Sequence, residues 1–101
     1  MTMELSVKAI KFDATEKLQE FIQKKVSKLE KFCGEIRKVE VSLKVVKPET
    51  AMNKEASLRL SVPGSELFAQ KIGDTFEEAV DLSVETLTRQ LSKYKDKQKN
   101  H

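Results

Sequence analysis

The residues best suited to chemistry are cations near the C-terminal end, and the chemistry they suit is polyanion binding. Arg89, Lys93 and Lys97 repeat every four residues, which puts them on one flank of a helix. Residues 89–101 hold Arg89, Lys93, Lys95, Lys97 and Lys99 against one acid, Asp96, a local charge of +4 in a chain of net charge +3. Residues 1–88 therefore sum to −1, and the basicity is concentrated as in an electrostatic footprint for a polyanion. Charge alone fits equally well a helix end whose lysines complement the macrodipole.

Other chemistries lack their parts. His101 is the only histidine and is terminal, so neither a serine nor a cysteine nucleophile has a histidine base within a fold. Cys33 stands beside Gly34 and reads as a small helix-end residue. No Cys/His cluster has zinc spacing, and glycines at 34, 64 and 73 form no phosphate-cradling loop. Glu77/Asp81 and Glu16/Glu20 are four apart on polar arcs, as on a solvated helix face. Neither an enzyme nor a cofactor or metal site is expected.

A chain of 101 residues makes one domain with one two-layer core. No apolar run approaches a membrane span, no signal peptide opens the chain, and a single cysteine fits a reducing cytoplasm. Without Trp, and with Phe12, Phe21, Phe32, Phe68, Phe76 and Tyr94 mostly at core-facing positions, rows of exposed stacking aromatics are not expected.

The elements that must position the cations follow from periodicity. Residues 3–9 alternate, with Met3, Leu5, Val7 and Ala9 on one side, as in a strand. Thr15 or Asp13 then caps a helix reaching about Phe32, where Gly34 is expected to end it in the left-handed conformation. Leu18, Phe21, Ile22, Val26, Leu29 and Phe32 form the helix's apolar face, and Lys17, Lys24, Lys28 and Lys31 line one flank. Lys25 projects into the apolar sector and must snorkel or find an anion. Strands follow with Val39, Val41, Leu43 and Val45 inward, then Ala56, Leu58, Leu60 and Val62. A polar loop over 47–53 and a Pro63-Gly64 turn separate these from a last strand over 66–72, where Leu67 and Ala69 keep the inward phase and Lys71 breaks it.

A second helix is predicted from an N-cap at Asp74, with Glu77 as its capping-box partner. Phe76, Ala79, Val80, Ser83, Leu87, Leu91 and Tyr94 form its inner stripe. Acids crowd its first half and Arg89, Lys93 and Lys97 its second. One-sided alternation in the strands and a right-handed first crossover give an α+β two-layer β-α-β-β-β-α sandwich, a four-stranded sheet with both helices on one face. The helices are expected to lie antiparallel or nearly so on that layer, or else to cross shallowly; the sequence does not decide. On that layer Lys24, Lys25, Lys28 and Lys31 are expected to share a surface with Arg89, Lys93 and Lys97. Structured RNA suits such a surface better than DNA, because no recognition-helix motif is present. The opposite sheet face, read as Ser, Lys and Glu without an apolar patch, argues against a protein-docking module.

Three stretches carry a family resemblance: Thr15-Glu-Lys-Leu-Gln-Glu-Phe-Ile with Lys25-Val-Ser-Lys-Leu-Glu-Lys31, Lys38-Val-Glu-Val-Ser-Leu-Lys44, and Arg89-Gln-Leu-Ser-Lys-Tyr-Lys-Asp-Lys97. Over nearly its whole length the chain resembles the ribosome hibernation promoting factors, also called ribosome-associated inhibitor, protein Y or sigma-54 modulation protein. The resemblance implies the β-α-β-β-β-α fold, with an outline like that of double-stranded RNA-binding domains. It also implies binding to small-subunit rRNA in the decoding channel, where the factor excludes mRNA and tRNA and holds idle ribosomes inactive during starvation. The family's Lys-x-x-Lys-Leu falls on Lys25, Lys28 and Leu29, and its Arg-Gln-Leu-x-Lys on Arg89, Gln90, Leu91 and Lys93. Gln19 and Thr86 stand where members often carry a basic residue.

Chain length implies the short type, a single ribosome-binding domain over 1–101 without the C-terminal dimerisation domain of long members, and with a frayed basic tail at 95–101. The short type resembles a helper for ribosome dimerisation acting with a separate ribosome modulation factor. A protein Y-like inhibitor that opposes dimers, and a generic structured-RNA binder, are the alternatives.

Overall fold

Alternating apolar residues impose one buried face on each strand, and the computed structural model shows how the strands share it. It describes residues 4–10, 14–46 and 52–99, with side chains through Asp96. Met3, Asp13, residues 47–51 of the polar loop, the Lys97 side chain and residues 100–101 lie outside the described residues. The order is β1 (Glu4–Ala9), α1 (Glu16–Phe32), β2 (Lys38–Val45), β3 (Lys54–Val62), β4 (Ser65–Gly73) and α2 (Phe76–Lys99). One sheet runs β1-β2-β3-β4, with β1 parallel to β2 and the other pairs antiparallel. The two-layer α+β architecture read from the sequence is the observed one.

Register locks the faces, since a slip by one residue would turn every side chain over. Val41 faces Val7 on one side and Leu58 on the other, and Leu58 faces Ala69. These rows pack under Leu18, Ile22, Val26 and Leu29 of α1 and Ala79, Val80, Leu87 and Leu91 of α2, all buried. Val84 joins the core although the inner stripe read from the sequence omits it. Ser83, fully buried on the same stripe, donates its hydroxyl to Ala79 O at 2.8 Å and sits 3.3 Å from Ala56 O, linking α2 to β3.

The helix ends differ from expectation in detail. Thr15 caps α1, accepting from the Leu18 N–H at 3.1 Å. Gly34 does not close that helix, because the described glycine with positive φ is Gly64 in the β3–β4 turn, at 75°. Cys33 ends α1 in an extended conformation, its N–H bonded to Leu29 O at 2.9 Å. Both Cys33 and Ile36 are buried, and the chain reverses into β2 through a turn at 34–35, closed by the Ile36 N–H on Cys33 O at 3.5 Å, without a left-handed glycine. The cap of α2 lies one residue beyond Asp74: Thr75 Oγ1 accepts from the Glu78 N–H at 3.0 Å, and Glu78 reaches back to the Asp74 N–H at 3.3 Å. Asp74 is diverted, its carboxylate accepting from the Met52 N–H at 2.8 Å. Thr75→Ala should therefore cost about 1 kcal/mol and lower the thermal midpoint by roughly 4–8 °C. An unchanged midpoint would deny Thr75 the capping role.

The outer sheet face is not only Ser, Lys and Glu. Phe68 and Ile72 alternate onto it from edge strand β4 and stay 46% and 41% exposed, a correction to the polar face expected. Phe68 lies opposite Arg59, whose guanidinium stands 5.9 Å from the ring centroid. Lys71 takes the inward phase opposite Ala56 yet is exposed, because an edge strand has no outer neighbour to enclose its stem.

Candidate nucleic-acid interface

Alternating strand directions fix how the helices lie. Each helix follows a strand running the same way as β2, so both run antiparallel to it and parallel to each other, a correction to the antiparallel pair expected. Contacts agree: Lys25 meets Asp81 near the middle of α1, and seven residues on Phe32 meets Lys95. The last turns of α1 and α2, where carbonyls are left without helical partners, thus share one end of the molecule. Lysines sit at that end, with Lys31 in the last turn of α1 and Lys95 donating to Phe32 O at 3.0 Å while standing 4.7 Å from the Phe32 ring centroid.

Lys24, Lys28 and Lys31 are exposed on the outward arc of α1, and no acid among the described residues forms an ion pair with any of them. Glu20 and Glu30 lie on a neighbouring arc, so the lysine row presents one sign of charge to solvent.

Lys25 differs. Its ammonium is 2.8 Å from Asp81 Oδ1 and 5.5 Å from the Phe21 ring centroid, so the anion that periodicity demanded is supplied by α2. Asp81 is 55% exposed and Lys25 23%, and water screens the pair. A double-mutant cycle on Lys25→Met and Asp81→Asn should give a coupling below about 1 kcal/mol that fades in high salt. A coupling unchanged by salt would show that packing rather than charge joins the helices there.

On α2, Arg89 is 74% exposed and held 2.8 Å from Glu85 Oε1, one turn back. Lys93 is exposed, and no described acid pairs with it. Gln90 donates its amide to Phe68 O at 3.0 Å, fastening α2 to the edge of β4. Lys97 has helical backbone, and its side chain is outside the described residues. The helix continues through Lys99.

The two basic flanks are not brought edge to edge. Asp81 and Lys95 mark the arc of α2 turned toward α1, whereas Gln90 and Lys93 mark the arc turned toward β4. By helical spacing Arg89 lies on the outer crest of α2 between those arcs, and Lys93 lies beyond it from the α1 lysines, so the cations share one outer layer in two tracks. Lys95, absent from the candidate set, is placed at the seam between the tracks, and only the interhelix geometry reveals that. Gln19 and Thr86 are engaged locally, Gln19 with Ala14 O and Thr86 with Leu82 O, both at 3.0 Å.

Comparison with known proteins converges on one family. The profile described as sigma 54 modulation protein / S30EA ribosomal protein matches residues 5–99. The ribosome hibernation promoting factor of Escherichia coli K12 is 36% identical over 99 residues, covering 98% of this chain and all of that protein. The factor of the same name from Azotobacter vinelandii is 30% identical, covering 95% of this chain and 86% of its own. A ribosomal subunit interface protein from Coxiella burnetii superposes with a TM-score of 0.84 at 28% identity, over 93% of this chain and 99% of that one. The protein Y N-terminal domain of Thermus thermophilus, 17% identical, shares the fold with a TM-score of 0.76 over 93% and 99%. The chain belongs to the sigma 54 modulation protein / S30EA ribosomal protein family.

Proposed function

We propose that this protein is a ribosome hibernation factor, a binding protein whose helix layer rests on small-subunit rRNA where mRNA and tRNA would otherwise lie. The observation that carries the reading is the row Lys24, Lys28 and Lys31, exposed and without acidic partners among the described residues, in a chain whose relatives are named as hibernation factors. Cations that no described acid pairs with are ready to replace counterions on phosphate. Release of those counterions makes affinity fall steeply as salt rises. Arg89 and Lys93 form the second track, and Lys97 follows four residues on in the sequence. Lys25 and Gln90 act mainly by positioning, one holding α1 to α2 and the other holding α2 to β4.

Occupation of the channel by a folded domain excludes mRNA and tRNA sterically, so inhibition needs no catalytic step. Sedimentation of ribosomes through sucrose gradients with the purified protein tests the proposal. Co-sedimentation at low salt that is lost progressively as salt rises supports it, and free protein at the top of the gradient at every salt concentration overturns it. The same gradients show whether ribosome dimers accumulate when a modulation factor is added.

A further inference from the structure

We infer that the groove between β4 and the second half of α2 is a nucleobase pocket, receiving one unpaired base of an RNA strand whose phosphate is held at the groove's rim. This rests on the RNA-binding role proposed above and assigns part of that binding to a site without charge. The groove has a volume of about 240 Å³ and is lined by Ser65, Leu67, Gln90, Lys93 and Tyr94. Among the described residues its lining is mainly apolar, with Leu67, Tyr94 and Lys93 beside Ser65 and Gln90, which suits the flat faces of a base. Its polar groups stand at the edge. Ser65 offers a hydroxyl, and the Gln90 amide, with its nitrogen donated to Phe68 O, keeps Oε1 as an acceptor for a base amino group.

One wall and one edge group are held before any ligand arrives. The Tyr94 hydroxyl donates to Pro63 O at 2.9 Å, anchoring the ring to the β3–β4 turn, and Gln90 is anchored to the backbone of β4. Such a pocket loses little order on binding, and stacking on an aromatic platform tolerates any base because each has a π-face. Cations at the rim argue for a base over an apolar peptide side chain. Lys93 lines the mouth, Arg89 lies one turn earlier on the same flank, and a base brings its own phosphate to meet them.

The sequence supplies its own reporter. Tyr94 is the only tyrosine and there is no tryptophan, so tyrosine emission reports this groove alone. The full chain is titrated at low salt with an unlabelled oligouridylate hexamer and with an abasic hexamer of equal charge, following Tyr94 emission, and binding is followed in parallel by anisotropy of the labelled oligomers. The base-bearing strand should quench Tyr94 and bind about threefold to tenfold more tightly, and the abasic strand should bind without quenching. Ser65→Phe, which fills the mouth from an exposed position, should abolish the quenching and the affinity difference while leaving the salt dependence of binding unchanged. Lys93→Gln should reduce the salt slope by up to about one and retain the quenching. Equal quenching by both strands, or no emission change with either, overturns the pocket. Co-sedimentation with ribosomes is measured on the same preparation, so loss of the pocket and loss of ribosome binding are told apart.

Discussion

Replacing Lys24, Lys28 and Lys31 together by Glu should abolish ribosome co-sedimentation at moderate salt while the protein stays folded. These side chains are exposed and none closes an ion pair with a described acid, so the fold gives up little when they change. Binding gives up much. Each phosphate contact removed lowers the slope of log affinity against log salt by roughly one, so three contacts lower it by about three, and reversed charge adds repulsion. A loss on the order of a hundredfold or more at 0.1 M salt is the expected scale. A control variant separates a local site from bulk charge. Lys8, Lys38 and Lys44→Glu makes the same change in net charge on the outer sheet face and should leave sedimentation nearly intact. If both triple variants weaken binding equally, net charge governs and the α1 row is not a site.

The second large effect is on stability. Leu87→Ala should destabilise the domain by roughly 2–5 kcal/mol, through lost transfer free energy and a cavity that the sheet cannot collapse into. Leu87 is fully buried on α2, in the same core cluster as Leu58 and Leu60 of the sheet. For a domain of about this size such a change is a large fraction of a total of about 5–15 kcal/mol, and the thermal midpoint should fall by roughly 8–40 °C. Thermal unfolding followed by circular dichroism reads this directly. A fall below about 5 °C would mean that the α2–sheet contact repacks around the smaller side chain.

The sheet was legible because a period of two survives wherever one face is buried and the other is wet, as in Val39-Glu40-Val41-Ser42-Leu43. The phase became ambiguous on β4. There an edge position lets Lys71 reach solvent from the inner face and leaves Phe68 and Ile72 exposed on the outer one. Helix ends were read within a residue or two, and the misreadings share a cause. Gly34 and Asp74 both have the right chemistry for a cap, but tertiary demands employ them elsewhere or not at all. Burial of Cys33 and Ile36 on either side of the 34–35 turn sets one helix exit, and the Met52 N–H claims Asp74.

The lysine row on α1 was visible from spacing, since it needs only one helix. The fate of Lys25, the side of α2 to which Lys93 turns, and the seam position of Lys95 each depend on a neighbouring element. No single-helix period encodes them. The parallel course of the helices was derivable by counting strand reversals once the element order was known.

That parallel course has a consequence for encounter. Both helices end more basic than they begin. On α2 the chain passes from Glu77, Glu78 and Asp81 to Arg89, Lys93 and Lys95. On α1 it passes from a neutral first half, with Glu16 and Glu20 against Lys17 and Lys24, to a half with Lys25, Lys28 and Lys31 against Glu30. Because the helices point the same way, their gradients add where an antiparallel pair would cancel. Spread along α2, about 36 Å for 24 residues, this separation makes the helix layer an electric dipole that feels a torque near any polyanion. The basic end is turned to the surface before contact, so fewer collisions are wasted on wrong orientations. Added salt should then slow capture before it hastens release.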